Sequence, residues 1–179
     1  MGGRVLIVTD VQEGFTRQGN LKSDACTSAI PRVVELVERA RAAGTPIVFT
    51  KDSHREGDPE FEMFPPHCIV GTAEHDLVEE LRPHESDAAA VIEKTRYSAF
   101  FNTDLEKVLE QLDPDDIEII GFCTDICVLH TTADLRNRDY RVTVRRDAVE
   151  TYDAPGHDHE DVNRWALSHI ETILGARVA

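Results

Sequence analysis

Short runs of consecutive apolar residues alternate along the chain with longer stretches in which apolar side chains recur every three or four positions. That alternation predicts parallel strands covered by helices. Residues 5–9, VLIVT, form an unbroken apolar run ending at Asp10, as expected of a strand buried on both faces. In residues 28–43, Ile30, Val33, Leu36, Val37 and Ala40 fall at helical spacing, with Pro31 near the start and Gly44 just past the end. A second strand is expected at 46–50, followed by a long segment, 51–71, rich in Pro, Gly, His and acidic residues. Such irregular stretches are usually functional or disordered. Beyond it the pattern predicts a helix near 73–81, a strand at 90–93, a helix at 103–112 and a strand at 117–121. A helix over 124–138, a strand at 141–145, a last helix within 158–174 and an edge strand at 177–178 complete the chain. The aliphatic positions of the last helix, Trp165, Leu167, Ile170 and Ile173, are expected to pack on the sheet, a second subunit being the other surface they could meet.

With right-handed crossovers this order makes a three-layer α/β/α fold around a parallel sheet of five or six strands. No repeat, low-complexity tract or linker divides the chain, so one domain over residues 1–179 is expected. In open α/β sheets the site lies at the C-terminal ends of the strands. That places Asp10, the segment 51–67, Lys94 and residues 121–127 in view before any motif is consulted.

The 34 Asp and Glu residues against 19 Lys and Arg give a formal net charge of -15, which repels nucleic-acid backbones and anionic lipid. The nearest basic stretch, 136–146, is interleaved with apolar residues. No apolar run approaches the roughly 18 residues that span a bilayer. Four irregularly spaced cysteines, Cys26, Cys68, Cys123 and Cys127, suit reduced thiols. The expectation is a soluble, non-secreted, cytoplasmic protein with neither nucleic-acid nor membrane partners.

Cys127 is expected at the start of a helix, where free backbone N–H groups lower a thiol's pKa. Lys94 at a neighbouring strand end adds positive charge, and Asp10 can accept and return the thiol proton. The N–H groups of Cys123 and Cys127 could hold an oxyanion. Taken singly, each has a plainer reading: a small core residue, a surface charge, a turn former. Asp52, His54, Glu60 and His67 mix carboxylate and imidazole in proportions that suit zinc, manganese or iron. Spacing alone leaves the third ligand open, because Glu56, Asp58 and Glu62 compete. No HExxH, CxxC pair or phosphate-binding Gly loop is present.

The segments LIVTDVQEGF, KDSH, MFPPHCIVGT, EKTRYSAF and GFCTDICVLHT, in this order, resemble the isochorismatase-like cysteine hydrolases and, within them, the nicotinamidases. The resemblance spans nearly the whole chain. It implies an isochorismatase-like fold, with Cys127 as nucleophile, Asp10 as general acid and base, and Lys94 as the cation beside the thiolate. It implies a metal site of Asp52, His54 and His67, with Glu60 as fourth ligand because no His stands between His54 and His67; zinc is the first choice of ion, manganese and iron the others. It also implies an aromatic enclosure of Phe15, Phe64 and Tyr97, and a cis peptide at Phe122–Cys123. The activity implied is hydrolysis of nicotinamide to nicotinate and ammonia through a Cys acyl-enzyme. Its alternatives are a related amidohydrolase acting on ureido or N-carbamoyl compounds and a catalytically silent metal-binding scaffold. A homo-oligomer is left open.

Overall fold

The computed structural model describes residues 3–179. Strands β1 (Arg4–Thr9), β2 (Ile47–Asp52), β3 (Ala90–Lys94), β4 (Asp116–Phe122), β5 (Val142–Glu150) and β6 (Arg177–Val178) form one sheet in the order β3-β2-β1-β4-β5-β6. Every pair is parallel. Helices α1 (Glu13–Thr16), α2 (Asp24–Ala42), α3 (Arg82–Glu85), α4 (Leu105–Leu112), α5 (Leu129–Asn137) and α6 (His159–Thr172) connect the strands.

Because β1 is central, both its faces are covered and successive side chains enter different cores. Val5 and Ile7 pack with Leu105 and Leu109 of α4, Leu135 of α5 and Leu167 and Ile170 of α6. Leu6 and Val8 pack with Ile30, Val33, Leu36 and Val37 of α2. Each such aliphatic side chain contributes about 1.5–3 kcal/mol on burial. The result is the expected three layers.

The chain builds outward from β1 to β3, then returns to lay β4 on the other side of β1. This reversal opens a crevice beyond the C-terminal ends of β1 and β4. Gly121 makes the close approach possible there. Its φ is +112°, and a Cβ would stand 2.1 Å from the Thr9 carbonyl oxygen. One residue later in β1's direction, Asp10 turns the chain out of the sheet with φ at +48°, a left-handed conformation that Asp tolerates better than most residues.

Several expected boundaries shift for physical reasons. Helix α2 begins at Asp24 because Ser23 caps it, its Oγ accepting from Cys26 N, so Pro31 lies inside the helix rather than at its start. The strand expected at 46–50 runs two residues further, pairing Lys51 with Glu93 and Asp52 with Lys94 across to β3. No helix spans 73–81: one 3-10 turn at Ala73–His75 is followed by an irregular stretch that buries Leu77, Val78 and Leu81 against the α2 core. The helix expected over 124–138 is divided into a turn of π-helix at Thr124–Val128 and α5. In α6, Leu167 and Ile170 are core residues, whereas Trp165 and Ile173 face outward at 59% and 69% exposure. His75 and His84 are buried.

Candidate active site

The C-terminal ends of β1, β2 and β3 and the turn after β4 converge on one buried charge network. Lys94, the last residue of β3, is fully buried, and its Nζ lies 2.8 Å from Asp10 Oδ2, 3.1 Å from Asp52 Oδ1 and 3.5 Å from Cys127 Sγ. Thr50 Oγ1 donates to Asp10 Oδ1 at 2.5 Å, which fixes the carboxylate's second oxygen. Cys127 lies in the first turn after Cys123, where the Cys123 carbonyl accepts from Ile126 N and Val128 N, each at 3.1 Å. The Phe122–Cys123 peptide is cis.

Burial pulls the Lys94 amine down, but Asp10, Asp52 and Cys127 outweigh it and hold the ammonium. Burial pushes Asp52 up, and Lys94 with the two imidazoles overcomes that push, keeping it ionised. Asp10 is raised by burial and by Asp52, with Lys94 opposing. The Cys127 thiol is pushed well above its ordinary value by burial and by the Asp10 and Asp52 carboxylates, more than Lys94 lowers it. Burial thus opposes the lowering expected of the helix start and of Lys94.

On the other side of Asp52, four side chains turn inward. Asp52, His54, Glu60 and His67 are all buried and offer ligand atoms that lie within 4.8 Å of one another. Asp52 Oδ2 is 3.1 Å from His54 Nε2 and 3.2 Å from His67 Nε2, while Glu60 Oε1 is 3.8 and 3.9 Å from the same two nitrogens. The far side of each imidazole faces an oxygen. His67 Nδ1 donates to the Pro65 carbonyl at 2.8 Å, and His54 Nδ1 lies 3.1 Å from Asp58 Oδ2. With a metal ion in place, rings held this way would turn an Nε2 lone pair toward the cluster, as metal-binding imidazoles do. Glu60 Oε2 and both ring nitrogens of His54 are buried without hydrogen-bond partners among the described residues. Two imidazoles and two carboxylates fit a divalent ion of the zinc, manganese or iron kind.

Charge points the same way. Asp10, Asp52, Asp58 and Glu60 face Lys94 and Arg96, leaving two negative charges that a dication would balance.

The two halves share a narrow cavity of about 30 Å³, lined by Phe15, Phe64 and Tyr97 together with Asp52, Glu60, His67, Cys123 and Cys127. The Phe64 ring stands edge-on to Tyr97 at 6.3 Å between centroids, and Phe15 packs 5.7 Å from His67. Leu21 and Ile126 complete the wall, two contributors that spacing did not reveal. His130 reaches Tyr97 at 5.2 Å and bonds the Ile126 carbonyl, outside the lining. Cys68 is buried with its Sγ toward the Glu74 carbonyl and stands apart from the cluster.

Three supporting residues were not singled out by motif. Gln12 is fully buried and clasps the end of β2, accepting from Asp52 N at 2.7 Å and donating to the Asp52 and His75 carbonyls, each at 2.9 Å. Asp58, known from the sequence only as one acid among several, accepts from Glu60 N at 2.9 Å and orients His54. Arg96 Nη1 lies 2.9 Å from Asp58 Oδ1. The available signal was position: Gln12 follows Asp10 by two residues and Arg96 follows Lys94 by two.

The model of the isochorismatase domain family matches residues 4–166. The chain is 42% identical over 155 residues to an uncharacterized isochorismatase family protein, PncA, of Bacillus subtilis, covering 82% of this chain and 81% of that protein. Among solved structures, a pyrazinamidase/nicotinamidase from Streptococcus mutans superposes with a TM-score of 0.89 at 33% identity, covering 99% of this chain and all of the other. A pyrazinamidase of Pyrococcus horikoshii in complex with zinc has a TM-score of 0.86 at 29% identity, with 98% of both chains covered.

Proposed function

The chain belongs to the isochorismatase family, and from the site it carries we propose that it is a metal-dependent nicotinamidase, hydrolysing nicotinamide to nicotinate and ammonia through a Cys127 acyl-enzyme. One observation carries this reading: the Asp10, Lys94 and Cys127 network and the Asp52, His54, Glu60 and His67 cluster open into a single aromatic cavity. Support comes also from what lines that cavity. No Arg or Lys is present among its described lining residues. A substrate bearing a carboxylate, such as an N-carbamoyl acid, would find no Arg or Lys side chain in that lining. A neutral aromatic carboxamide meets Phe15, Phe64 and Tyr97 instead.

Asp52, His54, Glu60 and His67 would hold the divalent ion, which when bound supplies a Lewis-acid seat for the ring nitrogen of a pyridine substrate. The remaining chemistry belongs to the protein. Asp10 takes the Cys127 proton as Sγ attacks the carboxamide carbon, and the N–H groups of Cys123 and Cys127 receive the oxyanion. Asp10 returns the proton to the departing ammonia. It then deprotonates the water that cleaves the thioester, releasing nicotinate and restoring the thiol. Lys94 remains an ammonium throughout, keeping Asp10 from retaining its proton. Orientation by the aromatic walls and the ion can lower the barrier by up to about 7–11 kcal/mol, more than the roughly 3 kcal/mol expected of each oxyanion donor.

Ammonia release from nicotinamide tests the reading. Cys127→Ala is expected to reduce kcat by about 10⁴-fold or more, and a chelator is expected to abolish turnover until a divalent ion is restored. Undiminished activity in the Cys127 variant would overturn the mechanism, and activity indifferent to chelation would remove the metal from it.

A further inference from the structure

Asp125 sits midway between Cys123 and Cys127, inside the turn that carries both, yet its side chain points away from the cavity lining. Each carboxylate oxygen is claimed by a different donor from the segment that follows β5. Oδ1 accepts from Thr151 Oγ1 at 2.6 Å, and Oδ2 lies 3.0 Å from His157 Nε2. The His157 ring stacks on Tyr152, 4.1 Å between centroids and 9° from parallel, and its Nδ1 bonds the Tyr152 carbonyl at 2.8 Å. A carbonyl only accepts, so Nδ1 carries a proton. A simultaneous hydrogen bond from Nε2 to the carboxylate then requires the imidazolium. In the neutral ring a bare lone pair would face Asp125.

We infer that Asp125, Thr151 and His157 form a latch that positions the nucleophile turn, and that the latch loosens when His157 loses its proton. The inference rests on the nicotinamidase reading for what the turn does, though not for the latch itself. The turn holds the attacking sulfur and both proposed oxyanion donors, so a small displacement acts on every step that builds or collapses the tetrahedral intermediate. Asp125, Thr151 and His157 are thus positioning residues.

The electrostatics of the surroundings agree with the geometry. Burial pulls the His157 imidazole down, but the Asp125 carboxylate and the Tyr152 carbonyl outweigh it and hold it above its ordinary value. Of the other titratable groups packed around the pair, Cys123 lies at the start of the same turn and Tyr152 under the ring. Asp153, Asp158 and Asp161 line the same open groove as His157 and favour its charge. His159 is engaged separately with Glu150 and Asp153. A group whose folded value is raised is charged below its ordinary value, about 6.5 for His, and discharges above its raised one. The latch is therefore fully closed below the ordinary imidazole value and opens as the pH rises through the raised one.

His157 is partly exposed, so its replacement is compatible with folding. In His157→Ala, kcat for nicotinamide is expected to fall about tenfold with KM changed less than twofold, and amide hydrogen exchange of residues 122–129 is expected to quicken. His157→Gln keeps an N–H for Asp125 that does not titrate. Its kcat is expected within about threefold of the parent, with the alkaline limb of the kcat profile moved upward or lost. Parental kcat and exchange in His157→Ala, or an unmoved alkaline limb in His157→Gln, would overturn the latch. Should the parent release no ammonia from nicotinamide, the functional reading falls, and exchange in the two variants still decides the latch.

Discussion

At the scale of single residues, the centre of the site is decided by one buried cation. Lys94 separates Asp10 from Asp52, and neither carboxylate could stay ionised at that depth without it. Replacing it by Met preserves length and removes the charge. Lys94→Met, assayed with a chelator in both samples so that metal loss does not enter, is expected to cost about 3–5 kcal/mol. At about 2–4 °C per kcal/mol for a chain of this size, calorimetry should find Tm lower by roughly 6–20 °C; an unchanged Tm would show that the two acids do not depend on Lys94. Asp10, Lys94 and Cys127 were legible before any coordinates because strand ends can be read from apolar runs. Gln12, Asp58 and Arg96 were not, since their roles consist of contacts with segments distant in sequence. The thiol's raised pKa was likewise hidden, because burial by remote residues outweighs the local helix start.

Among the elements, strands were legible wherever they are buried on both faces, because a run such as VLIVT has no polar face to confuse its period. The stretch at 73–81 misled for the converse reason. Its apolar residues fall at a helix-like spacing, yet Gln12 and Leu77 pair across it and Gln12 bonds the His75 carbonyl, which fixes an irregular path. The extension of β2 to Asp52 matters more, since pairing with β3 sets Asp52 beside Lys94 and begins the metal cluster. The β1 to β4 junction depends on Gly121 in the same way. In Gly121→Ala a methyl would collide with the Thr9 backbone at a φ that side chains avoid. A loss of about 3 kcal/mol is expected. Gly44, at φ +69° with open space around it, supplies the control: Gly44→Ala should cost about 1 kcal/mol. Urea unfolding of the two variants compares them directly, and equal losses would contradict the claim that β4 must touch β1 here.

For the whole molecule, acidity has two separable components. Most of the excess negative charge lies on exposed stretches such as 113–116 and 153–161, where it is solvated and screened by salt within about 10 Å at 0.1 M. The four carboxylates gathered at the strand ends differ, because Asp10, Asp52 and Glu60 are buried and only Lys94 and Arg96 oppose them. Salt reaches that group poorly, so a bound dication and bulk electrolyte should act differently. At a free ion concentration 1,000 times its Kd, binding to the native state adds about 4 kcal/mol, or roughly 8–16 °C in Tm. Chelation is therefore expected to lower Tm by about that amount. Zinc, manganese or iron should restore it in proportion to affinity, whereas 0.5 M sodium chloride should recover little of the loss while still modestly stabilising the acidic surface. A Tm indifferent to chelation, or one that sodium chloride alone restores, would remove the metal-holding role from Asp52 and Glu60.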